Sequence, residues 1–122
     1  MKKTFHELCE ESNKNVKECS VQDVKNMIEK NITINGNEDF ILIDVREDNE
    51  FIAGNIEGSV HIGKGIIERD IHLYVGDHDK KIVLYCGGGY RSVLAAESLQ
   101  KMGYSNVISK KGGWKEWSLV KS

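Results

Sequence analysis

The sequence contains no proline. No turn can be set by the fixed φ of a pyrrolidine ring, so glycine and asparagine must carry the turns. Cysteine is scarce as well: Cys9, Cys19 and Cys86 form an odd set with no C-x-x-C spacing. That pattern argues against a disulfide framework or a cysteine zinc site, and it fits a reducing compartment. The four histidines have no metal-ligand spacing either, so no metal is expected. Long apolar runs are missing; "FILI" and "IVLY" are far too short to span a bilayer. A basic excess is also absent. Seventeen Lys and Arg against nineteen Asp and Glu give a net charge of −2, with no general pull toward nucleic acid or an anionic membrane. Met1-Lys2-Lys3 is followed by the polar "TFHELCEESNKN", with no apolar core of a signal peptide. The expected location is cytoplasmic.

What is present suits one α/β domain of 122 residues, with no repeat and no linker. Residues 1–16 read as an N-terminal extension, a short polar helix over 4–13 packed on a domain of residues 17–122. Ser20 and Asp23 are spaced as a capping box, and Val21, Val24, Met27 and Ile28 make one buried helical stripe. "NGNED" is a turn before a short, doubly buried strand, Phe40 to Val45. A helical turn over Asp48 to Ala53 is followed by a strand at 59–62 and a helix from Ile66 to Val75. The most apolar strand, Ile82 to Cys86, leads into a helix from Ser92 to Met102, with Gly103 in the C′ position. A last strand spans Asn106 to Ile108. Strands alternating with helices at these separations predict a mostly parallel central sheet with helices on both faces. Ligands of such sheets sit beyond the carboxyl ends of the strands, where Cys86 falls.

The segment "YCGGGYRS" concentrates the chemistry. Gly87, Gly88 and Gly89 let successive amides converge without a Cβ in the way. The helix that follows adds the positive end of its dipole, and Arg91 adds a permanent charge and a planar donor fork. At the focus stands the Cys86 sulfur. Such surroundings favour a thiolate, and a thiolate beside an anion site can move a group between anions. A buried structural cysteine followed by a capping glycine turn is the simpler alternative, but three glycines and an arginine exceed what a cap requires. Cys86 is therefore the expected nucleophile, with Gly87, Gly88, Gly89, Tyr90 and Arg91 as the substrate cradle.

Two ordered motifs carry a family resemblance. "LIDVREDNEFIAGNIEGSVHI" resembles the D-x-R, E-F/Y and G-H-I-x-G-A stretch of the rhodanese family, through Asp44, Arg46, Glu50, Phe51, Gly54, Ile56 and Gly58. "YCGGGYRSVLAAESLQKMGYSNVISKKGGWKEW" resembles its active-site loop and C-terminal half, through Cys86, Gly89, Arg91, Ser92, Ala95, Ala96, Leu99, Gly103, Tyr104, Val107, Gly112, Gly113 and Trp117. The likeness spans about residues 17 to 118. It implies a rhodanese-like fold and a single-domain sulfurtransferase without a cofactor. Such an enzyme takes a sulfane sulfur from a donor such as thiosulfate onto Cys86 as a persulfide, then passes it to cyanide, a thiol or a partner protein's cysteine. Loop length points the same way: from Cys86 to Arg91 there are six members, whereas related phosphatases carry one more. A protein-to-protein sulfur relay or redox-sensing module stays open as an alternative, and a phosphatase-like hydrolase is disfavoured. Three departures stand out. Gly87 replaces a residue that is often basic, Asn55 replaces the motif histidine, and Gly63 replaces a frequent proline. Without a base at 87, attraction for a dianion weakens, and a neutral or protein-bound donor fits better.

Other residues draw blander expectations. Asp44 and Arg46 could support the loop, but a fold-stabilising, ion-paired role is favoured. Glu68 resembles a family glutamate near the site and is equally readable as an exposed helix carboxylate. Lys64 and Arg69 read as solvated charges. Cys9 and Cys19 could resolve the persulfide as a disulfide, yet a small buried residue and a loosely packed thiol are the expected roles. His61 reads as a satisfied core residue, and Trp114 and Trp117 as cover for the core edge, with one of them a candidate for the mouth of the site.

Overall fold

The computed structural model describes residues 2–33 and 40–120. The turn expected at "NGNED" lies outside the described residues. A five-stranded sheet, all parallel, runs in the order β1-β5-β4-β2-β3. Its strands are β1 (Lys17–Cys19), β2 (Phe40–Asp44), β3 (Val60–His61), β4 (Lys81–Tyr85) and β5 (Val107–Lys110). The helices are α1 (Phe5–Asn13), α2 (Val21–Thr33), α3 (Asp48–Ala53), α4 (Ile67–Asp70), α5 (Arg91–Lys101) and α6 (Gly113–Val120).

β4 shows why the sheet is covered on both sides. Ile82, Leu84 and Cys86 point into a cluster with Ile67 and Ile71 around α4 and Val93, Ala96 and Leu99 of α5. Val83 and Tyr85 point the other way, to Val24 of α2, Ile56 and Trp117 of α6. With every face position apolar, a parallel arrangement buried on both sides is the stable solution. The helix ends follow local chemistry. Asp23 N donates to Ser20 Oγ at 3.1 Å while Ser20 N donates to Asp23 Oδ2 at 2.9 Å, the expected box at the start of α2. Thr4 and Glu7 form an equivalent box for α1, which lies on α5 through buried Cys9 and Ser12. Ser12 Oγ also donates to Glu97 Oε1 at 3.0 Å.

Besides shifts of one or two residues at the ends of β2, β3, β5 and α5, the structure differs from the sequence expectation in four places. β1, three residues long, pairs with β5 and is too short to show a period. α6 forms where only a closing turn was expected. The helix expected over Ile66 to Val75 is broken into α4 flanked by 3-10 turns at Lys64–Ile66 and Ile71–Leu73. No side-chain cap secures these pieces; buried Ile67, Ile71 and Val75 hold them. β4 ends at Tyr85, one residue early, because the Cys86 carbonyl accepts from Trp114 N of α6 at 2.7 Å and so leaves the ladder.

At the carboxyl end of β2, Asp44 and Arg46 form an ion pair closed to solvent, with Arg46 Nη2 2.7 Å from Asp44 Oδ2. Arg46 Nη2 also donates to Gly54 O at 2.6 Å, and the guanidinium lies 5.3 Å from the Trp114 ring and 5.8 Å from that of Tyr85. Breaking a buried pair leaves a stranded charge. Asp44→Ala should therefore cost about 3–5 kcal/mol in denaturant unfolding, and the double replacement Asp44→Leu with Arg46→Met considerably less. Equal losses in both variants would show that the pair itself is not what the mutation removes.

Candidate active site

Cys86 is the first residue beyond β4 and is 1% exposed. Its Sγ accepts from Gly89 N at 3.1 Å and from Ser92 N, in the first turn of α5, at 3.4 Å. Ser92 Oγ is 3.6 Å from the sulfur and 2.8 Å from Ser109 Oγ, so a buried hydroxyl pair from α5 and β5 closes that side. Convergent amides and a helix N-terminus around one sulfur stabilise negative charge there.

The other side of the loop is held by α6. Trp114 N donates to Cys86 O at 2.7 Å, and Lys115 N donates to Gly87 O at 3.0 Å. In a planar trans peptide the next N–H points opposite to the carbonyl. Fixing these two carbonyls on α6 therefore turns the Gly87 and Gly88 amides away from α6. The approach is so close that Gly113, at φ +50°, has no room for a side chain: a Cβ there would lie 2.1 Å from Cys86 O. Gly89, at φ +98°, likewise faces Gly112 N, 3.3 Å from where its Cβ would be.

Arg91 bonds Glu50 of α3 through both terminal nitrogens, Nη1 to Oε1 at 2.8 Å and Nη2 to Oε2 at 3.2 Å. The bidentate Arg91 guanidinium is the main cause holding the Glu50 carboxyl down at about 2. The permanent charge expected at the rim is thus paired. Gly87 makes room for it, since a Cβ at 87 would sit 3.1 Å from Arg91 Nη2.

The rhodanese-like domain model matches residues 20–119 of this sequence. The chain belongs to the rhodanese-like domain family. No curated protein matches the sequence. Among solved structures, a protein of unknown function from Rhodopseudomonas palustris, named a possible tyrosine phosphatase, is 27% identical with a TM-score of 0.80, over 97% of this chain and 91% of its own. The rhodanese-like domain of the Anabaena protein Alr3790 is 21% identical with a TM-score of 0.72, over 86% of this chain and 75% of its own. The human single-domain sulfurtransferase TSTD1 is 20% identical with a TM-score of 0.72, over 86% of this chain and 97% of its own. The last two establish likeness of fold.

Within this rhodanese-like frame the expected site residues separate. Cys86 to Arg91 form one loop at the sheet's carboxyl edge. Asp44 and Arg46 lie at the neighbouring strand end and meet α6 at Trp114, which sits against Arg46 and against Gly54, where a Cβ would be 2.8 Å from its ring. Glu68 is exposed on α4, with no hydrogen bond or ion pair among the described residues. Arg69 pairs with Asp70, and His61 Nε2 lies 2.7 Å from Arg46 O with its ring stacked on Phe51. Cys9 and Cys19 are both buried. Burial pushes the Cys9 thiol up and the Cys19 thiol to about 11, so neither is a ready thiolate at neutral pH. Cys19 is packed in the core with Val24 and Trp117 and is not loosely held. Among the described residues no cluster of His, Cys, Asp or Glu could hold a metal.

Sequence reasoning passed over two residues of the site, Glu50 and Ser92. Both stand in the quoted motifs, so the signal was present, but a spacing alone does not say which partner each one meets. A groove of about 400 Å³ opens beside the loop, between α1 and α6, with Cys9, Gly89, Tyr90, Glu10, Glu18 and Glu116 among its walls.

Two outcomes follow from this geometry. Gly113→Ala should destabilise the protein by about 2 kcal/mol or more through strain and collision with the loop. Gly65→Ala, where nothing lies within 4 Å of the new Cβ, should be near neutral by the same unfolding measurement. The Glu50 carboxyl, lowered from 4.5 to about 2 chiefly by Arg91, adds stability above its unfolded value that is lost as pH falls toward the folded one. The stability gap between wild type and Glu50→Gln should hence be open at neutral pH and close between pH 4.5 and about 2. A gap independent of pH would assign the effect to packing.

Proposed function

We propose that this rhodanese-like protein is a sulfurtransferase with Cys86 as the sulfur-accepting nucleophile. The observation that carries the reading is the Cys86 sulfur at the focus of loop and helix amides, within a six-member loop. The thiolate attacks the outer sulfur of a donor such as thiosulfate; a sulfur–sulfur bond forms to Cys86, and sulfite leaves with the electron pair of the broken bond. Cyanide or a thiolate then attacks the outer persulfide sulfur, leaving as thiocyanate or a new persulfide and restoring the Cys86 thiolate. Gly87, Gly88, Gly89, Tyr90 and Arg91 supply the cradle for the terminal sulfur. No step calls for a metal or organic cofactor. Residues 17–122 form the catalytic domain and residues 1–16 an extension packed on it, in a cytoplasmic setting. Among the described residues, no helix is long and apolar enough to cross a membrane.

One observation favours a relay between proteins over free thiosulfate as the physiological exchange. The groove beside the loop carries Glu10, Glu18 and Glu116 against Lys111, and Arg91 is neutralised by Glu50, so the surroundings of the loop offer a dianion little net attraction. Turnover with thiosulfate is accordingly expected to be slow compared with sulfur exchange with a protein-borne persulfide.

Intact mass tests the assignment. Thiosulfate should add the mass of one sulfur atom to the wild type, cyanide should remove it, and Cys86→Ser should take up none. Equal loading of the Ser variant would mean that Cys86 is not the acceptor. The same preparation should not hydrolyse an aryl phosphate. Robust phosphatase activity dependent on Cys86 would replace the sulfurtransferase reading with that of a hydrolase.

A further inference from the structure

Lys110, the last residue of β5, is 0% exposed. Its Nζ donates to Lys111 O at 3.0 Å and to Gly113 O at 2.8 Å, and lies 6.0 Å from the Trp117 ring. Among the described residues no carboxylate is within ion-pair distance of it; Glu116 acts only at longer range. Burial alone works against the ammonium, and the position compounds this, because a cation beside the N-terminus of α6 opposes the helix dipole. On stability grounds an apolar side chain of similar length would serve better. A residue that breaks the local rules so plainly points to a role in the site.

What the ammonium holds is the Gly112–Gly113 turn, the segment that meets the back of the Cys86 loop. Gly112 N faces Gly89, and the two amides that grip Cys86 O and Gly87 O come directly after Gly113. If the turn drifts, those carbonyls are released and the peptides they orient can rotate.

We propose that Lys110 is a positioning residue for sulfur transfer: its buried ammonium clamps the Gly112–Gly113 turn against the back of the Cys86 loop and so holds in place the loop from which Gly89 N meets the sulfur. The inference rests on the sulfurtransferase reading for its chemistry, but not for its geometry.

Lys110→Met and Lys110→Leu remove the ammonium and keep the bulk. Their thermal midpoints should equal or exceed that of the wild type. Hydrogen exchange at the Trp114 and Lys115 amides should rise roughly tenfold while β4 amides stay protected. The rate of sulfur loading from thiosulfate, followed by intact mass, should fall by roughly tenfold, since a small misplacement of catalytic donors is costly. Unchanged exchange at those two amides would overturn the proposal, as would faster exchange with wild-type loading. Failure of both variants to fold would make Lys110 a purely structural residue and overturn it equally. A wild type that takes up no sulfur would reject the sulfurtransferase reading and, with it, the role of Lys110 in sulfur transfer, while the exchange result would still decide whether Lys110 clamps the turn.

Discussion

The contact between the start of α6 and the Cys86 loop is the constraint on which the rest of the site depends. Two first-turn amides of α6 have no helical carbonyl to donate to, and the loop offers two carbonyls that lie beyond the β4 ladder. Each set satisfies the other. The exchange demands backbone against backbone, which is why Gly113 has no room for a Cβ and why Gly112 takes a positive φ. It also explains the place of Trp114: the residue whose amide holds Cys86 O carries a ring that lies against Gly54 and Arg46, and Arg46 is itself tied to Asp44. The buried ion pair at the end of β2 and the cysteine at the end of β4 are thus linked through one tryptophan.

Charge near the loop is arranged in an unexpected way. Three cations near the loop are already engaged: Arg91 with Glu50, Arg46 with Asp44, Lys110 with two carbonyls. The groups hydrogen-bonded to the Cys86 sulfur include the Gly89 and Ser92 amides, whose dipoles are fixed in direction and need little reorganisation when charge develops there.

The fold was largely legible in the sequence because β2 and β4 are uninterrupted apolar runs and α5 carries a clear stripe ending at Gly103. The loop was legible because three glycines after a cysteine have few other uses. What escaped notice depends on long-range contacts. β1 is too short to show a pattern and exists because β5 offers an edge. α6 reads as a Gly-Gly turn followed by polar and aromatic residues, and its helix becomes apparent only once its amides find the Cys86 loop. Lys110 sits in a Lys-Lys pair that reads as surface. Its burial is created by β1 and α6, the two elements that were not foreseen, so nothing in the sequence singled it out. Arg91 illustrates a different limit: its place in the loop could be read, but its pairing with a glutamate 41 residues away could not.

Preorganisation of so short a loop requires restraint at more than one point, and the structure supplies it from three directions. α6 fixes the carbonyls at its beginning, and Glu50 of α3 fixes the side chain at its end. Between them, α1 reaches Tyr90: the Cys9 thiol donates to Tyr90 O at 3.6 Å, and the rings of His6 and Phe5 meet the tyrosine ring at 4.8 and 6.3 Å. α1 precedes the segment that matches the family model, so this third restraint lies outside the family match. It bears on the glycine-rich part of the loop, where ordering costs the most entropy. α1 also lies on α5, where Cys9 and Ser12 are buried and Ser12 Oγ donates to Glu97 Oε1. Its packing against Tyr90 is best understood as part of what holds the cysteine loop in one shape.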